Sequence, residues 1–126
     1  MSNATYRSGA ISYPIAQDIE QFSLVAINGE GKLVPASAAG AVFGVVTEPG
    51  SLDPRAEGND ILAVSYGQNG AKIRTDDEIK AGAAVFAAAD GKAAASGSVQ
   101  VGVAVRDTKN GVVVTILNKL PYAPGA

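Results

Sequence analysis

Short runs of β-branched and small apolar residues recur along most of the chain, and they constrain its fold more than any other feature. Every second residue from Val99 to Val105 is Val, and this period of two predicts a half-buried strand. Residues 112–117 and 42–46 are almost wholly apolar, as expected for strands covered on both faces. The Ala-rich segment 78–89 is interrupted by Gly82, and we therefore expect a strand there rather than a helix.

One turn signal stands between two of these strands. Residues 61–66 and 71–75 each read as a strand, and Gly67-Gln68-Asn69-Gly70 separates them. Asn-Gly is favoured in tight hairpin turns because both residues tolerate positive φ. The sequence therefore predicts a β-hairpin over residues 61–75.

The chain also shows an internal repeat, over residues 18–66 and 78–117. Gly31-Lys32 lies sixty residues before Gly91-Lys92, and an acidic turn at Asp18 lies sixty residues before Glu78. Identity between the halves is low, and chance alignment of two Val- and Ala-rich stretches is the alternative. Two related β units would close into a barrel or sandwich and hide most strand edges. We therefore predict a compact all-β fold, a β-barrel or β-sandwich built from two β units.

The two ends of the chain differ from this middle part. Residues 1–16 are small and polar with interspersed aromatics, and residues 120–126 contain two prolines, which do not extend a strand easily. We predict a β domain over 17–119 with an extended N-terminal arm and a C-terminal tail. Tyr and Arg are typical interface anchors, and mobile surface is the alternative. The predicted contacts with a partner protein or with another subunit are Tyr6, Arg7, Tyr13 and Tyr122.

Composition excludes several function classes. Hydrophobic residues make up 47% of the chain and charged residues 17%, which argues against disorder. The chain has no His and no Cys, so the commonest general base and the commonest metal ligands are missing. The net charge is −2 without a basic cluster, which argues against nucleic acid as a partner. No secretory signal or membrane-spanning run is recognisable, and we expect a soluble protein made in the cytoplasm.

Two motifs superficially suggest chemistry. Asp76-Asp77-Glu78 groups three carboxylates, but adjacent residues point in different directions, whereas calcium loops space their ligands at alternate positions. Residues 29–32 resemble part of a phosphate-binding loop, but Ala26 and Leu33 stand where the motif needs Gly and Ser or Thr. We interpret both as turns and predict no catalytic residue, metal or cofactor, although sequence leaves a Ser–Lys pair open.

Several short segments spread over residues 18–118 form a recognisable set. They are Ile79–Phe86, Asp90–Lys92, Val101–Ala104, Val112–Ile116 and, in the first half, Val42–Val46 and Gln21–Val25. Together they resemble the bacteriophage capsid decoration (cement) proteins, whose motifs include an "AGDPVY" step and a "GVA" strand. Gly82 and Val85 match the first motif, whereas Ala83 and Ala84 replace its Asp and Pro.

This resemblance implies a function as well as a fold. Members of the family assemble as homotrimers on the exterior of the icosahedral head and contact the major capsid protein at local three-fold positions. It therefore implies a virion protein that binds and stabilises the assembled capsid, is made in the host cytoplasm and is not an enzyme. We further expect the N-terminal arm to contact the capsid.

Other readings remain open. One is another virion structural protein, from the tail or the connector. A second is a β-barrel module that binds a carbohydrate or another small ligand. A third is a hydrolase or lyase that uses carboxylates, for which the candidates are Asp18, Glu20, Asp76 and Glu78.

Overall fold

The computed structural model describes residues 9–53, 55, 60–67 and 69–124, and these residues form two five-stranded sheets. The first sheet contains β1 (Gly9–Pro14), β2 (Ser23–Ile27), β3 (Leu33–Pro35), β4 (Gly44–Val46) and β5 (Ile61–Tyr66). The second contains β6 (Asn69–Arg74), β7 (Ala84–Ala87), β8 (Ala93–Ala94), β9 (Gln100–Ala104) and β10 (Val112–Leu117). Every ladder within the sheets is antiparallel. The predicted compact all-β fold is confirmed.

The two sheets repeat one topology. Their strand orders are β1-β5-β4-β2-β3 and β6-β10-β9-β7-β8, which become identical when five is added to each label of the first. The registers agree as well: Gly9 pairs with Tyr66 as Asn69 pairs with Leu117, and all six pairs of β1 with β5 have a counterpart between β6 and β10. We call β1–β5 the first unit and β6–β10 the second unit. The correspondence begins at β1, before the start of the repeat expected from sequence.

One glycine in each unit fixes the close approach of two neighbouring strands. A Cβ atom on Gly44 of β4 would collide with the carbonyl oxygen of Ser65, and one on Gly102 of β9 would collide with that of Ile116. These obstacles are backbone atoms, so no side-chain movement can make room. The same steric requirement therefore recurs at the same place in both units.

The predicted hairpin over residues 61–75 is wrong. β5 pairs with β1 and β4, whereas β6 pairs with β10 in the other sheet. Gly67 has a φ of +72°, and its amide donates to the carbonyl of Leu120 at 3.2 Å. The Gly- and Asn-rich turn thus carries the chain from the first sheet to the second instead of folding it back.

The core consists of two clusters, and the units share one of them. The first lies inside the first unit and includes Val25 and Val46. The second contains the buried residues of the second unit together with four from the first: Leu24, Ala36, Val42 and Val45. Because successive strand residues point to opposite faces, β2 sends Leu24 into one cluster and Val25 into the other. Residues on one face of the first sheet therefore complete the hydrophobic core of the second unit.

Arg74 reinforces this junction with polar contacts. Its amide donates to the carbonyl of Phe22 at 2.8 Å. Its guanidinium donates to Ser23 Oγ at 2.9 Å and to the carbonyl of Asp90 at 2.8 Å, and it lies 3.1 Å from the carboxylate of Glu20. The half-buried side chain of the second unit thus binds the start of β2 in the first unit.

Two burial patterns differ from expectation. β10 is not covered on both faces, since Val113, Thr115 and Leu117 are buried while the alternate side chain of Ile116 is exposed. The alternation from Val99 to Val105 also breaks, because a β-bulge interrupts the pairing of β7 with β9. A bulge opposes two residues to one and reverses the facing of those beyond it. The Val side chains at the end of this run consequently face outward.

Part of each predicted end segment belongs to the fold. Of the predicted arm, residues 9–14 form strand β1 and Ile15 is buried. In the predicted tail, Leu120 is buried, and Tyr122 exchanges two backbone hydrogen bonds with Val42 at 2.7 and 2.9 Å. In the described part of the chain, no helix is long and apolar enough to cross a membrane.

Candidate functional site

The open end of the first unit carries a cluster of three aromatic rings. The rings of Tyr13 and Phe43 meet edge to face with centroids 5.6 Å apart, and those of Phe43 and Tyr66 are 5.8 Å apart. All three side chains are only half-buried. With the half-buried Ile11 and Ile27 they form a surface that we call the mouth of the first unit. Aromatic side chains of this kind commonly anchor protein interfaces.

Local structure positions each ring. Tyr13 alternates along β1 with the exposed residues Ser12 and Pro14, and its ring packs against the first core cluster. Phe43 precedes β4, where its amide donates to the carbonyl of Val25 at 2.8 Å. Tyr66 ends β5. The three rings thus come from β1, from β5 and from the residue that precedes β4, and these strands are distant in sequence but adjacent in the sheet.

The structure describes two of the four predicted contact residues. Tyr13 lies in the mouth. Tyr122 is 37% exposed, and its backbone pairs with Val42, the residue that precedes Phe43. Tyr6 and Arg7 lie outside the described residues. Sequence reasoning singled out neither Phe43 nor Tyr66.

The second unit presents an apolar surface of its own, on the side of its sheet that faces away from its core. Val103 pairs with Ile116 across β9 and β10, and Ile116 is 47% exposed. Val114 is half-buried, and Val105, just beyond β9, is 42% exposed. We call this surface, together with the half-buried Ala84 of β7, the outer face of the second unit. A strand face with this many apolar side chains is a candidate for contact with another protein.

A basic groove adjoins the outer face. Its volume is about 610 Å³, and Phe22, Val112 and Val114 supply its apolar lining. Three cationic residues, Lys72, Arg106 and Lys109, and one carboxylate, Asp107, also line it. Lys72 Nζ lies 5.7 Å from the centre of the Phe22 ring, close enough for a cation–π interaction. The groove therefore suits an acidic or aromatic group.

The carboxylates are distributed as isolated turn contacts. Asp76 pairs with Lys92 at 2.8 Å, and Asp77 accepts from the amide of Ala95 at 2.8 Å. The Arg55 amide and then its guanidinium hydrogen-bond to Asp53 and lower the pKa of that carboxyl. Among the residues that the structure describes, no three His, Cys, Asp or Glu side chains come together as a metal site.

Comparison with known proteins identifies a shared fold. The sequence matches no protein-family model and no curated protein. The structure, however, is similar to the crystal structure of the N base of head fiber gp8.5 in bacteriophage phi29, with a TM-score of 0.67. The match covers 91% of this chain and 98% of that chain at 14% sequence identity. The two proteins share a fold.

The likeness to the phi29 head fiber base extends over both units. A match over 91% of the chain is longer than either unit, so it includes residues from each five-stranded sheet. Since so low an identity preserves few individual side chains, the comparison transfers the architecture and no particular contact residue. The mouth and the outer face are therefore argued from this chain's own residues.

Proposed function

We propose that this protein is a phage head decoration protein, which binds the exterior of the assembled capsid as a homotrimer and stabilises it. The observation that carries the proposal is the fold shared with the phi29 head fiber base over 91% of the chain. The sequence resemblance to capsid decoration proteins supports it independently. In this proposal the protein is made in the host cytoplasm, contacts the major capsid protein and has no enzymatic activity.

The architecture suits such a role physically. The two units bury one shared core cluster, and their strands pair in matching registers. A trimer presents three copies of each contact to the shell, and linked contacts bind more tightly than single ones because the later ones become intramolecular. Modest individual contacts then suffice to reinforce a capsid over its whole surface.

Residues 1–8 provide the first test of how the protein attaches. Removing residues 1–16 would delete β1 and the buried Ile15, whereas removal of 1–8 keeps every residue of the first sheet. We expect the shorter deletion to weaken capsid binding at least about tenfold, the loss of roughly one interface anchor. Co-sedimentation of the intact and shortened proteins with capsids of the encoding phage measures this.

Thermal unfolding provides the control for that deletion. The shortened protein is expected to unfold at the same temperature as the intact chain, since it keeps every strand that the structure describes. Unchanged co-sedimentation would show that residues 1–8 make no capsid contact and would direct attention to Tyr122 and the basic groove.

A ligand-binding module is the second candidate, and the basic groove is the observation that favours it. The groove has one aromatic lining residue, Phe22, three cationic ones and one carboxylate, Asp107, and this excess of positive charge suits an acidic sugar rather than a neutral one. Binding of acidic oligosaccharides by titration calorimetry, combined with failure to sediment with capsids, would favour this candidate over decoration.

A further inference from the structure

The mouth of the first unit has an equivalent in the second unit, and the two differ in how deeply their side chains are buried. The repeat correspondence matches four residues of the first mouth, Tyr13, Ile27, Phe43 and Tyr66, with Ile73, Ala87, Val101 and Leu117 of the second unit. The four in the second unit are buried, whereas the four in the first are only half-buried. Because the two units share one fold, we attribute the difference in side-chain burial to what packs against each mouth.

The mouth of the second unit is closed by the first unit. Leu24 and Val45 lie on the face of the first sheet that points away from its own core, and they join the core cluster of the second unit. The turn at Gly91 packs closely against the same face, since a Cβ atom there would lie 2.6 Å from the carbonyl oxygen of Leu24. We call this contact the internal junction. It joins the mouth of the second unit to the face of the first sheet that points away from the first unit's core.

The equivalent pair of surfaces, the mouth of the first unit and the outer face of the second unit, is left uncovered by the residues that the structure describes. Leu24 corresponds to Ala84 and Val45 to Val103, both half-buried on the outer face of the second unit, and Ser65 corresponds to the exposed Ile116. The counterpart of Gly91 is Gly31, which has a φ of +76° and no atom within 4 Å of its Cβ position. Leu24, Val45 and Gly91 of the internal junction therefore each have an equivalent that the described residues leave uncovered. Arg74 corresponds to Pro14, so its polar contacts are not repeated.

We propose that the mouth of the first unit in one copy binds the outer face of the second unit in another copy. The contact repeats the apolar part of the internal junction between chains, with the Tyr13, Phe43 and Tyr66 rings as its anchors and Val103 and Ile116 as its opposing surface. An interface between two different surfaces of identical chains closes into a ring when its rotation permits. The inference rests on the proposed function only in assigning this contact to the homotrimer.

The mass of the protein in solution tests the inference without any capsid. We expect light scattering to give about three times the 12.6 kDa chain mass. The variant Ile116→Asp would bury an unpaired carboxylate in the interface and is expected to weaken association roughly a hundredfold or more. Ile61→Asp is the matched control: Ile61 is 56% exposed and points away from the mouth, because it alternates along β5 with the buried Leu62.

Mixing two variants tests the pairing of unlike surfaces. Ile116→Asp leaves the mouth intact, and Tyr66→Glu leaves the outer face intact, so each alone is expected to be monomeric while their mixture forms a heterodimer through one intact interface. Circular dichroism melts confirm that each variant is folded. Assembly of Tyr66→Glu by itself, or a monomeric wild-type protein, would overturn the inference.

Capsid binding separates this inference from the proposed function. An oligomer that Ile116→Asp dissociates but that ignores capsids would uphold the interface and refute decoration. A monomeric wild-type protein whose capsid binding is abolished by Ile116→Asp would show that the outer face binds the capsid protein, which refutes the interface and supports decoration.

Discussion

Gly102→Ala is expected to destabilise the protein by roughly 3 kcal/mol or more, the upper range for overpacking a closed site. The added Cβ would collide with the carbonyl oxygen of Ile116 in the neighbouring strand, and relief requires the two strands to separate. Urea unfolding followed by circular dichroism measures the change. Gly44→Ala should behave alike, because the corresponding collision with Ser65 occurs in the first unit.

Gly70→Ala is the matched control for this prediction. Gly70 also pairs with Ile116, from the other side of β10, but its Cβ position has no atom within 4 Å. We expect a change within about 0.5 kcal/mol, as for other surface substitutions. Equal stability of the Gly102→Ala and Gly70→Ala variants would contradict the strand spacing described for the second sheet.

Leu24→Ala is expected to lower the free energy of unfolding by about 2–5 kcal/mol, the range for a large cavity in a closed core. Leu24 is fully buried and lies in the cluster that both units share. Because that cluster joins the units, we expect the variant to unfold in a single transition at a lower urea concentration. The measurement is urea unfolding followed by both circular dichroism and tyrosine fluorescence.

Leu52→Ala is the matched control for Leu24→Ala, because it shortens an exposed leucine without removing a contact in the core. Leu52 is 50% exposed, and its amide, which the substitution retains, donates to Asp18 Oδ1 at 2.8 Å. We expect a change below about 0.5 kcal/mol. If Leu24→Ala were as stable as this control, or if the two probes reported separate transitions, the shared core would be refuted.

Local sequence patterns predicted much of the fold, because short strands and turns leave local signatures. The strand at residues 84–87 followed from Gly82 and Val85 despite the Ala-rich composition. The hairpin at residues 61–75 failed because turn chemistry specifies a change of direction and not the partner of the next strand. Here a longer-range contact, from Gly67 to Leu120, places that strand in the other sheet.

Strand β1 was missed for a similar reason. Residues 9–14 contain Gly, Ser and Pro, which have low strand propensity, and their pairing with β5 is set by contacts more than 45 residues away in sequence. An edge strand tolerates Pro because one side of its backbone has no ladder partner. Tertiary context thus overrides the local composition at this end of the chain.

The candidate surfaces were harder to predict than the strands. Tyr13 was expected to contact a partner, but Phe43 and Tyr66 resemble ordinary core residues when each is read alone. A signal was present in the repeat, where Phe43 and Tyr66 of the first unit correspond to Val101 and Leu117 of the second unit. Larger aromatic rings at otherwise equivalent positions indicate an additional packing partner, but only after the strand registers are known.

The most direct test of the central claim is an electron cryomicroscopy reconstruction of the encoding phage's capsid, with and without the purified protein. The account predicts additional density on the outer surface of the shell, large enough for three copies of a 12.6 kDa chain and bound at local three-fold positions. Density confined to the tail or connector, or an unchanged shell after incubation with excess protein, would contradict it.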